Sequence, residues 1–507
     1  MTQKLITEKN LVKIKTLIKK RKKKVVLCHG VFDLLHIGHI KHFQEAKKYG
    51  DILICSVTAD KFVNKGPNRP VFNINQRISF LEALSLIDYL IISNSDSSLG
   101  SLKKIKPDVY CKGPDYLIKK KDITKKIYQE TGYVKSYGGK TVFTKDETYS
   151  SSNLINNNIF FNDDKKIPII DKIKSQFSID EIENEIEKLK KLKVLIIGET
   201  IIDQYSFCEA IGKSGKEPIL VFRDLFKKQY TGGIIAIAKH LSEFVKKIDL
   251  ISYLGVNDEY KVFIQKNIPK NIKTYFLKKK NSPTIVKKRI IDYTSNKKII
   301  GLYNLNDEAL DTEDEKKLSK KLSSVIKKYD IVIVSDYGHG FISKKNAQLI
   351  CKKAKFLSLN AQINAANIGY QTMKNYSSLN CVIINENELR HEMRDRNTPL
   401  TKLMKSLSKK QSIENLIVTR GQSGSTLYDK KKDKFFQCSA FATKIIDKVG
   451  AGDTMLSLIS VMLKAKIDKN LALFSASLAA ANSVETQGNS ENIKKINILK
   501  SIEHLIK

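Results

Sequence analysis

The segment from Val25 to Thr58 sets the fold class. It reads VVLCHG, then HIGHIKHFQEAKKYG after a short turn, then ILICSVT. Two short apolar runs bounded by turn residues behave as buried strands. The stretch between them repeats Ile37, Ile40, Phe43 and Ala46 at helical spacing and closes at Gly50. A strand, a helix and a second strand in that order demand a right-handed crossover, and so a parallel sheet covered by helices. SLIDYLIIS and KPDVYCKG continue the pattern, which stops near Asn156. LKVLIIGETIIDQY opens a second α/β region. Between the two, Ser178 and Glu181 form a capping box before the stripe Ile179, Ile182, Ile186 and Leu189. The expected division is a basic helix at 1–23, an α/β domain at 24–156, a helical linker at 157–192 and a second α/β domain at 193–507.

At 507 residues and 41% hydrophobic content, two such cores can be buried. No run of about 18 apolar residues offers a membrane span, and the first residues lack a signal peptide's apolar stretch and cleavage site. The seven cysteines are scattered and never spaced C-x-x-C, which fits free thiols in the cytoplasm better than a disulfide framework or a zinc site. The net charge of +37 is almost all lysine spread along the chain. Arginine, the better reader of phosphate and guanine, is scarce. No nucleic-acid partner is expected, and small anionic substrates fit the charge equally well.

Four of the eight histidines, His29, His36, His39 and His42, fall between Val25 and Asp51. H-x-G-H starts a helix, and a helix N-terminus carries unpaired N–H groups and partial positive charge suited to phosphate. His36 and His39 lie one turn apart on one side and can donate to the same phosphate oxygens, while Gly38 lets a phosphate approach the backbone. A metal would need a third ligand at set spacing, and Asp33 belongs more naturally to the turn. His42 alone reads as a partly exposed helix residue, and His29 sits at the strand end.

This stretch resembles the H-x-G-H nucleotidyltransferases. Class I aminoacyl-tRNA synthetases share the signature, but their Lys-Met-Ser-Lys-Ser loop is not found here. NKGPNRPVFNINQRISFLEALSLIDYLII, KPDVYCKGPDY and TKDETYSSSNLIN are similar to the adenylyltransferase half of bifunctional heptose kinase/adenylyltransferases. The resemblance implies a Rossmann-like domain in which Gly30, Phe32 and Asp33 shape the nucleotide pocket. His36 and His39 would stabilise the triphosphate in the transition state, and Lys112 would reach a phosphate. Ser151 and Ser152 would cap a phosphate at a second helix, and Arg77 would meet the sugar phosphate.

DKVGAGDTMLSLI places Gly450 and Gly452 just before a helix, with Asp453 in its first turn. Such a turn forms an anion nest, and the adjacent carboxylate can accept a hydroxyl proton. Together with NENE, VTRGQSG, TGG and Asp203, the motif resembles the ribokinase-like (PfkB) carbohydrate kinases. The resemblance implies an α/β domain with a small β lid and assigns Asp453 as base and Gly450, Ala451 and Gly452 as the anion hole. Asp203, Glu217, Gly232 and Gly233 would hold the sugar, and Asn385 and Glu388 would position Mg²⁺. Thr419, Gly421 and Gly424 would line the ATP site, with Asn482 near the adenine. Two positions depart from the family. Ala236 stands where an asparagine usually follows the glycine pair, and Lys448 where threonine is common. The two halves are also inverted relative to the familiar heptose enzyme.

The joint expectation is a cytoplasmic two-step sugar activator. MgATP would phosphorylate a sugar, such as a heptose 7-phosphate, at its anomeric hydroxyl. A nucleotidyl group from ATP, or from CTP, would then pass to the sugar 1-phosphate and feed lipopolysaccharide or capsule assembly. A homodimer through the lid is implied by the family, and a polyol-phosphate cytidylyltransferase is the alternative for the first half.

Overall fold

The computed structural model describes residues 4–20, 22–66, 69–113, 126–144, 166–363, 367, 372–442 and 444–506. The chain forms two compact units, one of residues 1–167 with 499–507 and one of 168–498.

The first unit carries a six-stranded sheet of β1 (Leu5–Ile6), β2 (Val25–Gly30), β3 (Ile52–Thr58), β4 (Tyr89–Ser93), β5 (Val109–Lys112) and β6 (Lys140–Phe143), ordered β1-β4-β3-β2-β5-β6. Every pairing is parallel. The crossover from β2 to β3 is the helix Ile37–Lys47, as the βαβ reading requires. Its stripe is only half buried: Phe43 and Ala46 pack fully inside, whereas Ile37 is 55% exposed at the first turn. The short edge strand β1 was not foreseen. Two residues are too few for a period-2 signal, and only pairing with β4 defines them.

The second unit is built on nine strands: β7 (Lys193–Gly198), β10 (Lys247–Gly255), β11 (Ile272–Lys279), β14 (Ile331–Asp336), β15 (Leu357–Ala361), β16 (Leu379–Asn385), β17 (Ile413–Thr419), β18 (Ser425–Asp429) and β19 (Lys434–Cys438). Their order is β11-β10-β7-β14-β15-β16-β17-β18-β19. Only the pairs β17/β18 and β18/β19 are antiparallel. The helices Ala451–Lys464 and Lys469–Val484 are buried along almost their whole length, as parallel-sheet packing on both faces demands. A separate sheet, β13-β12-β8-β9, is formed by β8 (Thr200–Lys213), β9 (Leu220–Gly233), β12 (Ile285–Asp292) and β13 (Lys298–Asn304). It is the small β lid. The helix Ile179–Glu187 starts at the expected capping box, with Ser178 Oγ accepting from the Glu181 N–H at 3.3 Å and Ile182 and Ile186 buried.

Candidate functional site

In the first unit the histidine pair caps its own helix. His36 Nδ1 accepts from the Gly38 N–H at 3.1 Å, and His39 Nδ1 accepts from the His36 N–H at 3.4 Å. The rings lie 4.0 Å apart, centroid to centroid. A nitrogen that accepts a backbone N–H carries no proton, so in each neutral ring the proton sits on Nε2. Burial, His36, Lys65 and His42 push the His39 imidazolium down to about 3, and burial and Lys65 lower that of His36. Both rings are therefore neutral Nε2–H donors at pH 7. Gly38 gives its N–H to His36 and so does not leave it unpaired.

The other expected residues divide. Phe32 holds a left-handed φ of 51° and packs its ring edge-on to His39 at 5.4 Å, above Gly30. Asp33 is buried and accepts from the N–H groups of Val71 and Phe72, each at 2.9 Å, with Arg69 Nη1 at 3.4 Å. It fastens the 69–72 loop rather than facing a nucleotide. Arg77 is not placed for a sugar phosphate. It is fully buried and donates to the carbonyls of Val31, Thr58 and Phe72 at 2.6, 2.8 and 2.9 Å, and to Asp60 Oδ1 at 2.5 Å. Sequence could not separate a tie from a ligand because both call for a guanidinium. Arg77→Ala is expected to cost about 3 kcal/mol, roughly one per abandoned carbonyl. Chemical unfolding checks this. Ser151 and Ser152 lie outside the described residues.

Lys112 ends β5 with its ammonium 3.5 Å from Glu130 Oε2. Glu130 also accepts from Ser97 Oγ at 3.1 Å, the Ser98 N–H at 3.0 Å and Tyr110 Oη at 2.9 Å. Although burial opposes it, Lys112 and the Ser98 N–H hold the Glu130 carboxyl below the usual carboxylate range, so it is ionised at pH 7. Glu130 was missed at the sequence level, since it sits eighteen residues beyond Lys112 with no motif around it. His29 Nδ1 lies 3.0 Å from Ser56 Oγ, and burial followed by Lys112 lowers the ring to about 3, so it is a neutral neighbour of this pair.

In the second unit the lid strand β8 places Asp203 opposite Tyr230, two residues from the Ile201–Gly232 pair. A Cβ on Gly232 would lie 2.2 Å from Asp203 Oδ2, so only glycine leaves room for that carboxylate. Gly233 pairs with Thr200. Glu217 is exposed on the β8–β9 turn, about ten residues further along the hairpin, which is roughly 30 Å of extended strand. The fold does not bring it to Asp203, which corrects its expected place at the sugar.

Asp453 sits in the first turn of the helix Ala451–Lys464, whose N-cap Gly450 has φ +91°. A Cβ there would also meet Asn489 Oδ1 at 2.2 Å. Ala451 and Gly452 follow in the same turn. Tyr337 Oη donates to Asp453 Oδ1 at 2.8 Å. Desolvation first, then Asp203, pushes the Asp453 carboxyl up to about 7, against the opposing pull of Tyr337 and Lys287. That is the range a general base needs at neutral pH. Two lid cations were not foreseen: Lys287, paired across the sheet with Asp203, and Arg289, whose Nη1 donates to Asp203 Oδ1 at 2.6 Å. Alternate residues of one strand share a face, and that regularity could have flagged KKR in β12 once Asp203 was suspected.

Asn385 and Glu388 repeat the capping-box motif. Asn385 Oδ1 accepts from the Glu388 N–H at 2.8 Å, Glu388 Oε2 from the Asn385 N–H at 2.9 Å, and Glu388 Oε1 from the Ile363 N–H at 3.2 Å. All donors are hard oxygens already partly satisfied, which fits a magnesium ion held through its water shell. Asn385 pairs with Thr419 at the strand ends, and Gly421 and Gly424 bound the turn that follows. Asn482 is half-buried near the end of the helix Lys469–Val484. Ala236 is buried in the helix after the glycine pair.

A carboxylate poised near neutrality beside a glycine-formed nest is the chemistry of phosphoryl transfer to an alcohol. The β lid with its paired cations stands beside that carboxylate. The chain belongs to the pfkB family of carbohydrate kinases, whose family model matches residues 191–496, more than half its length. The cytidylyltransferase-like family model matches residues 27–157. Among curated relatives, the bifunctional protein HldE of Syntrophotalea carbinolica is 37% identical over 124 residues, 24% of each chain. The Campylobacter fetus protein of the same name is 44% identical over 100 residues, 19% of this chain and 22% of that one. The chain thus spans about a quarter of the length of the relatives it matches. Solved structures with similarity include Escherichia coli phosphofructokinase-2 in complex with fructose-6-phosphate, at TM-score 0.49 and 14% identity over 62% of this chain and 100% of that one. Thermotoga maritima ribokinase gives 0.47 and 18% over 62% and 99%.

Proposed function

We propose that the chain activates a phosphorylated sugar in two successive transfers. In the second unit, Asp453 takes the proton of the anomeric hydroxyl as its oxygen attacks the γ-phosphorus of ATP, and ADP leaves. The nest of Gly450, Ala451 and Gly452 meets the charge on the moving phosphoryl group. Asp203 holds the sugar hydroxyls, and Thr419, Gly421, Gly424 and Asn482 line the ATP site. Asn385 and Glu388 would hold Mg²⁺, which neutralises triphosphate charge when bound. In the first unit, the sugar 1-phosphate attacks the α-phosphorus of a second nucleotide, ATP in this reading, and pyrophosphate leaves. The Nε2–H groups of His36 and His39 and the ammonium of Lys112 stabilise that transition state.

The observation that carries the reading is the buried Asp453 carboxyl behind the Gly450 N-cap, with Asp203 and the lid cations Lys287 and Arg289 close by. Cations on the lid suit a sugar that already bears a phosphate. A heptose 7-phosphate meets that requirement, and the nucleotide-linked product would serve cell-surface polysaccharide assembly. Among the described residues no helix is long and apolar enough to cross a membrane, and the proposed work is cytoplasmic because its nucleotide substrates are. Exposed Leu225, Phe226, Ile300 and Leu302 on the lid support a homodimer through that sheet.

The test is ³¹P NMR of the protein with Mg²⁺, ATP and D-glycero-D-manno-heptose 7-phosphate. Anomeric phosphate, pyrophosphate and a sugar-linked diphosphate are expected together. Anomeric phosphate alone would reassign the second nucleotide, with CTP tried next. Absence of anomeric phosphate would reject the sugar.

A further inference from the structure

We infer that the first unit holds a thiophilic metal site, with zinc as its natural occupant, made by Cys28, Cys111 and His42 beneath the histidine-capped helix. The three side chains come from separate elements: β2, β5 and the helix Ile37–Lys47. One ligand atom from each lies within 4.8 Å of the others. Cys28 and Cys111 are direct partners across β2 and β5, so both thiols emerge on one face of the sheet. That face is the one covered by Phe43 and Ala46 of the helix, in the same core cluster as both thiols. His42 descends toward the sheet from the same helix, and its Nδ1 lies 3.1 Å from Thr144 Oγ1.

The donor set points to the ion. Two thiolates and an imidazole are soft and borderline ligands, the set used by zinc when a fourth position stays open to water. At about 2.3 Å from sulfur and 2.0–2.1 Å from nitrogen, a tetrahedral ion needs ligands roughly 3.5–4 Å apart. The three atoms therefore need to close by no more than about an ångström. Two thiolates neutralise a divalent ion, so the charge of the site balances in a buried place. A hydroxyl on a ring nitrogen is the kind of partner that fixes the orientation of a metal-binding imidazole. Thiols bind the ion as thiolates, so metal uptake would release protons. Cys55 pairs with Cys28 from the other side, on β3. It shares the same core but is not one of the three grouped ligands, and it serves as an internal control.

The location gives the site a purpose. His42 follows His39 by one turn, and Cys111 immediately precedes Lys112. An ion here ties the histidine-bearing helix to the strand that carries the phosphate-reaching lysine.

The experiment uses the full chain, purified reduced and without chelator. Elemental analysis should find about one zinc per chain. After removal of zinc, titration with Co²⁺ should raise thiolate-to-cobalt charge-transfer absorption that saturates at one equivalent. Cys55→Ala should keep it, and Cys28→Val/Cys111→Val should lose it. His42→Asn, which spares both thiols, should retain thiolate absorption but weaken cobalt affinity at least ~10-fold. It carries the test should the double variant fail to fold, as judged by loss of a cooperative melt. Absence of charge-transfer absorption at saturating Co²⁺ would overturn the proposal. So would an unchanged signal in a folded double variant, or unchanged affinity in His42→Asn.

Discussion

Asp453→Asn is expected to lower ATP-dependent sugar phosphorylation by about 10²- to 10⁴-fold, the range a positioned general base contributes. It should leave pyrophosphate release from supplied sugar 1-phosphate unchanged. The substitution keeps the shape and the hydrogen bond with Tyr337 and removes only the ability to take a proton. Wild-type phosphorylation should rise with pH through about 7, where the buried carboxyl ionises, and the residual rate of the variant should lack that step. The same carboxyl predicts a stability change. Its folded value of about 7 lies above the ordinary 3.8, so the fold favours the protonated form. That contribution is complete below about pH 4 and is lost as pH rises through 7. The variant should therefore melt above the wild type at pH 8, with a smaller gap at pH 5. Equal phosphorylation by both proteins would remove Asp453 as the base, and loss of both activities would refute independent units.

His39→Ala should do the reverse, lowering nucleotidyl transfer by at least ~10²-fold while sparing phosphorylation. Two roles are removed at once, because His39 Nδ1 caps the His36 N–H and its Nε2–H is the proposed phosphate donor. The cap alone is worth about 0.5–2 kcal/mol. His39→Glu separates them, since a glutamate at this helical position can restore the capping acceptor but, ionised, has no N–H to donate. Its expected signature is near wild-type melting with a transfer rate no higher than that of His39→Ala. A His39→Glu enzyme with wild-type transfer would mean the histidines serve only the helix. The rate should vary little between pH 6 and 8 on account of His39, because burial holds the ring neutral down to about 3.

The β2–helix–β3 unit, the parallel sheets and the glycine N-cap before Asp453 were legible in the sequence. Each rests on a local signal: apolar period, turn residues, or glycine and aspartate at fixed spacing. Arg77, Asp33 and Glu217 read as site residues, yet the fold uses the first two as ties and leaves the third at a hairpin tip. Their motifs specify chemistry without direction. Glu130, Lys287 and Arg289 carried no motif at all.

The sequence by itself determined the two α/β units, their order, and the pairing of an H-x-G-H helix start with a glycine nest. These depend on neighbours within a few residues, where side-chain period and backbone freedom act. Only the tertiary structure decided which cations face Asp203, which carboxylate holds Lys112, and that Cys28, His42 and Cys111 meet. Strand register and helix docking set those distances, and they join residues whose separation along the chain says nothing about their separation in space.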